Sequence, residues 1–332
     1  MKSEQNGRNK TIDFVKGILI ILVVIGHYNN GKVHDIIYLF HMPAFFIISG
    51  FLLDECKITN EKYVKTKVIN LMIPYLMYMA VDFFLAKRIY TLKEIIKTVW
   101  GGRLNNGTYW YITCFCFAFV LFSYIIKTFS KRTANIIFLS MYIISIIESN
   151  LVMRVPYLEK PGIPGNIDVS FLACCYIAIG FYSKNLIDKL CKKDDKSNNI
   201  VYIIASIAMI VFVYMDIIRE KINYRFDMKP VQYTNFILVI LVPIVFFVVL
   251  LGIAQFTKNI NSRIYIIISN VGKMTIPIMY MHVPLNYMID YKYSNIVLYC
   301  CIGLLVPIVF NKVFSKYNIM RKMFGLSIIR EN

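Results

Sequence analysis

Apolar residues in this chain fall into long blocks separated by short polar stretches. Ten blocks of helical length lie at about 12–29, 36–53, 69–86, 109–126, 134–150, 168–183, 199–216, 232–255, 266–287 and 294–312. A helix needs ~20 mainly apolar residues to cross ~30 Å of hydrocarbon. Stretches such as Ile18 to Ile25, Asn135 to Ile147 and Phe236 to Ile253 are almost free of charge. One such block suits a buried helix in a soluble core; ten in succession predict a polytopic membrane bundle. A membrane barrel would instead show ~10-residue segments of alternating polarity. The expected fold class is therefore all-α, an integral membrane bundle of about ten transmembrane helices.

The start MKSEQNGRNKTIDF is too long and polar for a signal peptide, so the first block reads as a retained span. The polar stretches 87–108 and 184–198 are loop-sized, and no internal repeat stands out. A single transmembrane domain over 1–332 follows, with no appended extracytoplasmic domain. The segment LKEIIKTVW within 87–108 reads equally well as an amphipathic surface helix or as a solvated loop.

Composition sharpens this picture. Of 332 residues, 58% are hydrophobic and 17% charged, against the ~45–50% and ~25% of soluble domains. The net charge of +18 suggests a nucleic-acid partner until its distribution is examined. With the N-terminus in the cytoplasm, 23 of the 37 lysines and arginines lie on the cytoplasmic side and 13 outside, Lys273 falling in a span. That bias predicts N-in, C-in topology, with attraction to anionic membrane lipids and no nucleic acid. Six of the eight cysteines lie in apolar blocks and no CxxC pair occurs, so no metal site is expected.

Ionisable residues inside spans are costly and are functional candidates by default. Here they are Asp13, Lys16, His27, His41, Asp82, Lys273 and His282. Lys16 and His27 are eleven residues apart, within ~20° of three full helical turns, and so share one stripe ~16 Å long. A cation can hold phosphates and a histidine can act as a base, so one long ligand such as coenzyme A would touch both. The competing reading is a lysine snorkelling to the interface and a histidine bonded within the bundle. Under N-in topology His27, His41 and His282 all fall in the outer half of the bilayer. Asp13, three residues before Lys16, suits a pairing role. Pro43, Pro74, Pro243, Pro277 and Pro307 are expected to kink their spans.

The run TIDFVKGILIILVVIGHYNN followed by FHMPAFFIISGFLL strongly resembles membrane acyltransferase family 3, which includes bacterial polysaccharide O-acetyltransferases and fucose 4-O-acetylase-like proteins. The family's hallmark in its first helix is a basic residue, ten arbitrary residues and a histidine; Lys16 to His27 matches it. His41-Met42-Pro43 with Phe45, Phe46, Ser49 and Gly50 matches the second hallmark. Pro74-Tyr75, Trp110-Tyr111, Asp168 through Gly180, and Gly272 through Tyr280 to His282 add weaker matches, in order along nearly the whole chain.

The resemblance implies His27 as the catalytic histidine, with His41 beside it at the acyl-transfer centre. It implies Lys16, supported by Asp13, for the acyl donor acetyl-CoA. Ser49, Trp110, Tyr280 and His282 become candidate substrate-lining residues. The implied activity is O-acetyl transfer to a hydroxyl of an envelope polysaccharide or lipid-linked precursor, in the multi-pass setting of a bacterial inner (plasma) membrane. A polysaccharide synthesis complex would be the partner machinery. The rival is a secondary transporter or exporter, in which the same buried groups relay protons or bind cargo.

Overall fold

The computed structural model describes residues 9–28, 31–85, 96–97, 100–101, 108–155, 157, 160–192, 196–289 and 295–329. Its helices are α1 (Lys10–Gly26), α2 (Lys32–Tyr38), α3 (His41–Phe51), α4 (Glu55–Ile58), α5 (Glu61–Leu85), α6 (Trp110–Thr128), α7 (Lys131–Arg154), α8 (Ile167–Tyr182), α9 (Lys184–Cys191) and α10 (Lys196–Val213). After a two-stranded hairpin, β1 (Phe226–Asp227) and β2 (Gln232–Tyr233), come α11 (Leu238–Ile260), α12 (Ser262–Val271), α13 (Thr275–Ile289), α14 (Ile296–Phe314) and α15 (Asn318–Phe324). Most of the segment LKEIIKTVW lies outside the described residues.

Among the described residues, each of the ten apolar blocks lies mostly on helix, the eighth beginning in β2. Among the described residues, seven helical stretches are long and apolar enough to cross a membrane, and an eighth results if α12 and α13 form one bent span; α1 and α5 are not among them. The outer helices show why lipid is their solvent. Along α10, Ile200, Ile203, Ile204, Ile207, Ile210 and Val211 are all exposed. An apolar face that continuous marks an interaction surface rather than a wet one.

Two crossings carry the bundle's centre, α3 against α8 and α1 against α12. In each, a glycine on either helix admits the partner's backbone. A Cβ on Gly50 would meet the Ile177 carbonyl oxygen at 2.0 Å, and one on Gly180 the Ile47 oxygen at 1.9 Å. At the other crossing, a Cβ on Gly17 would lie 2.1 Å from the Ile268 oxygen, and one on Gly272 1.8 Å from the Asp13 oxygen. Small residues at such points let helices approach closely where hydrophobic drive is weak.

The helical bundle carries one small hairpin: β1 and β2 pair antiparallel, Phe226 with Tyr233 and Asp227 with Gln232. Strands of two residues leave no alternating pattern to read. The hairpin is tied to α7 through Ser149, whose hydroxyl accepts from the Tyr233 N–H at 2.6 Å and donates to the Tyr233 carbonyl at 3.2 Å. The prolines also divide. Pro74, Pro243 and Pro307 are inside helices, joined by Pro284. Pro43 and Pro277 instead sit in the first turns of α3 and α13, where a missing N–H costs nothing. The ninth block thus breaks at Gly272, with α12 and α13 meeting at 73°.

Candidate active site

Two of the candidate histidines stand at helix ends. His27 caps the C-terminus of α1, and its ring Nδ1 lies 2.8 Å from the Val23 carbonyl. His41 opens α3, and its Nδ1 lies 2.8 Å from the Ile37 carbonyl in the last turn of α2. His282 repeats the device in α13, Nδ1 to the Ile278 carbonyl at 2.8 Å. A carbonyl only accepts, so each Nδ1 carries the hydrogen and each neutral ring keeps its lone pair on Nε2. In each case the acceptor is the carbonyl four residues earlier in the chain, and that contact sets the tautomer. The rings cluster: His27 meets His282 edge to face at 4.9 Å, while Tyr38 stands 6.2 Å from His27 and 4.8 Å from His41.

His27, Tyr38 and His41 border a cavity of about 640 Å³ within the bundle. Lys16, Ile20, Val23 and His27 all line it, so the stripe inferred from spacing is a real wall of α1. On α3, His41, Met42, Phe45, Ile48, Ser49 and Leu52 form the facing wall, and Trp110 and Tyr111 contribute from α6. The Ser49 hydroxyl donates to the Phe45 carbonyl at 2.8 Å.

At one end Lys16 is joined by Lys67 from α5. Asp13, almost wholly buried, holds the Lys16 ammonium at 2.8 Å, the pairing its spacing suggests. Lys67 rides over the Phe119 ring at 4.8 Å. At the other end the wall is His34, Tyr38, Asp227, Met228 and Lys229. Asp227 takes the Lys229 N–H at 3.2 Å. Burial pushes the Asp227 carboxyl up to about 6, against the pull of its Lys229 N–H bond and nearby charges; burial also pushes Lys229 down to about 8.

The structure therefore brings Lys16, Asp13, His27, His41, Ser49 and Trp110 to one place. Tyr280 and His282 stand elsewhere than the cavity wall. Tyr280 is buried in an aromatic layer, stacked on Tyr78 at 4.8 Å and close to Tyr109 at 5.2 Å, because α13 turns that face toward α5. His282 is fully buried behind His27, its Nε2 without a hydrogen-bond partner among the described residues. Lys67, Tyr38, Asp227 and Lys229 were not signalled by the sequence. Among the described residues no group of three or more His, Cys, Asp or Glu is disposed to hold a metal.

Fold and site together define a multi-pass helical membrane protein with a histidine-lined cavity inside its bundle. The chain belongs to the acyltransferase family 3, whose sequence model, described as "Acyltransferase domain", matches residues 9–312. Among curated proteins it is similar to Nodulation protein NolL of Mesorhizobium japonicum, 30% identical over 148 residues, which cover 40% of this chain and 39% of that protein. It is also similar to Nodulation protein NolL of Sinorhizobium fredii, 34% identical over 139 residues, 35% of this chain and 36% of the relative. The chain thus spans well under half the length of the curated relatives it matches. No solved structure matches it.

Proposed function

We propose that this chain is an O-acetyltransferase that moves an acetyl group from acetyl-CoA to a hydroxyl of a cell-envelope carbohydrate, either an envelope polysaccharide or a lipid-linked precursor. The observation that carries this reading is one cavity wall on α1 with Lys16 toward one end and the Nδ1-protonated His27 toward the other. With N-in topology the Lys16 end faces the cytoplasm. Donor phosphates bind there beside Lys16 and Lys67, and the pantetheine arm runs ~16 Å along the helix axis toward His27.

His27 Nε2 takes the proton of the acceptor hydroxyl as that oxygen attacks the thioester carbonyl. The tetrahedral intermediate then expels the coenzyme as its C–S bond breaks, and the imidazolium returns the proton to the thiolate. The positive charge that forms transiently on His27 sits at the C-terminal, negative end of α1. His41 and Tyr38 close the transfer point from the α2–α3 side.

The test is transfer of labelled acetyl to envelope glycans by membranes containing His27→Ala. Activity should fall by at least ~10²-fold, the usual worth of a positioned base, with folded protein retained by size exclusion. Undiminished activity in that variant defeats the assignment. Mass spectrometry of envelope glycans with and without the protein checks the group itself, by the gain of one acetyl per site.

A further inference from the structure

Addition of a hydroxyl to a thioester puts a negative charge on the carbonyl oxygen. Inside a largely apolar cavity that charge needs a hydrogen-bond donor already in place, and loss of such a donor typically costs ~10²–10³ in kcat. The neutral histidines cannot supply it. His27, His41 and His282 each spend the ring hydrogen on a backbone carbonyl at 2.8 Å, so their Nε2 atoms offer lone pairs only. Ser49 is spent too, its hydroxyl donating to the Phe45 carbonyl at 2.8 Å. Lys16 is held by Asp13 at 2.8 Å and stands ~16 Å along the helix axis from His27. Trp110 packs on Tyr111 at the α6 wall, their ring centres 6.3 Å apart.

Tyr38 stands beside the histidines instead. Its ring centre lies 4.8 Å from that of His41 and 6.2 Å from that of His27, and all three residues line the main cavity. The hydroxyl-bearing end of the ring rests on the end of α1. A Cβ on Gly26, the residue before His27, would meet Tyr38 Cε2 at 3.3 Å. The ring is also fixed from behind. Tyr38 closes α2 four residues after His34, on the same helical face, and the two rings stack at 3.8 Å with their planes 29° apart. Tyr38 is half-buried, and among the described residues its hydroxyl is neither bonded to a partner nor sealed inside the protein. A donor that is fixed, unspent and open pays little reorganisation when charge develops.

We infer that the Tyr38 hydroxyl is the oxyanion donor of acetyl transfer, a catalytic residue distinct from the base. As the acceptor oxygen adds to the carbonyl carbon, the C=O π pair moves onto oxygen. The Tyr38 O–H hydrogen-bonds that oxygen and keeps its own proton. When the pair returns, the C–S bond breaks and the thiolate takes the proton held by His27. The inference rests on the acetyl-transfer reading above and adds the group that lowers its barrier.

The experiment follows transfer from labelled acetyl-CoA to an extracted envelope glycolipid fraction, using the purified full-length protein in lipid nanodiscs. Tyr38→Phe keeps the ring and its stack on His34 while removing the hydroxyl. Its kcat should fall ~10²-fold, with the KM of donor and acceptor and the melting temperature unchanged. Tyr38→3-fluorotyrosine, assayed below the pH at which its phenol ionises, keeps the donor and should transfer at the wild-type rate. An unchanged kcat in Tyr38→Phe overturns the assignment and passes the role to another donor on the wall, such as Lys229. A loss confined to the acceptor KM, a lowered melting temperature, or a fluorotyrosine protein as slow as Tyr38→Phe also overturns it. Each of these leaves acetylation intact. Failure of the wild type to acetylate anything in the fraction overturns the parent reading and this one with it.

Discussion

Lys16 and Lys67 approach one end of the cavity from different helices. Each is held by something other than water: Lys16 by Asp13 at 2.8 Å, Lys67 by the Phe119 ring at 4.8 Å. Two fixed cations are worth more to a polyphosphate than two mobile ones, because less side-chain freedom is lost on binding. Lys16→Ala and Lys67→Ala should therefore each raise the acetyl-CoA KM about 10-fold, leaving the acceptor KM alone. Lys16→Arg should retain most of the donor affinity; equal loss in the Ala and Arg variants would speak against phosphate recognition. Lys16 was legible in the chain because its partner His27 sits eleven residues away on the same helix. Lys67 was not, since its charge reads as one of several in a basic loop and only the packing of α5 brings it to Lys16. Tyr38 and Asp227 were hidden for the same reason, each reaching the site from an element whose local pattern carries no chemistry.

The helix pairs set where these side chains stand. Gly50 and Gly180 clasp α3 to α8, while Gly17 and Gly272 clasp α1 to α12. The first clasp fixes the helix of His41 and Ser49, and the second that of Lys16 and His27. A methyl group at 1.8–2.1 Å from a backbone oxygen cannot be accommodated by a side-chain rotation, so the helices must part. Gly50→Ala or Gly272→Ala should cost ~1–3 kcal/mol or more, read as a lowered melting temperature in detergent with activity lost alongside. Gly31→Ala, with nothing among the described residues within 4 Å of the added carbon, is the control and should melt like the wild type. A Gly50→Ala protein of unchanged stability would show that the crossing is looser than described. At this scale the sequence was informative where apolar runs were long. It said less where one run holds a break, as at Gly272 between α12 and α13. It said nothing of the hairpin, where two-residue strands are held by the buried hydroxyl of Ser149 on another helix.

Across the whole molecule, Lys16 and Lys67 mark one end of the cavity, and Asp227 and Lys229 of the hairpin mark the other. The basic bias of the loops predicts that the first end faces the cytoplasm. In a background with the other cysteines replaced, exposed Cys56 should react with a membrane-impermeant maleimide only after cells are opened, and Gln232→Cys should react in intact cells. The reverse pattern would invert the molecule and with it the assignment of donor and acceptor ends. Separate ends also have a kinetic consequence. Under the proposed function, spent coenzyme and esterified sugar would leave by different doors, so each product would obstruct only the arrival of its own precursor, and neither reactant would have to wait for the other to clear the way.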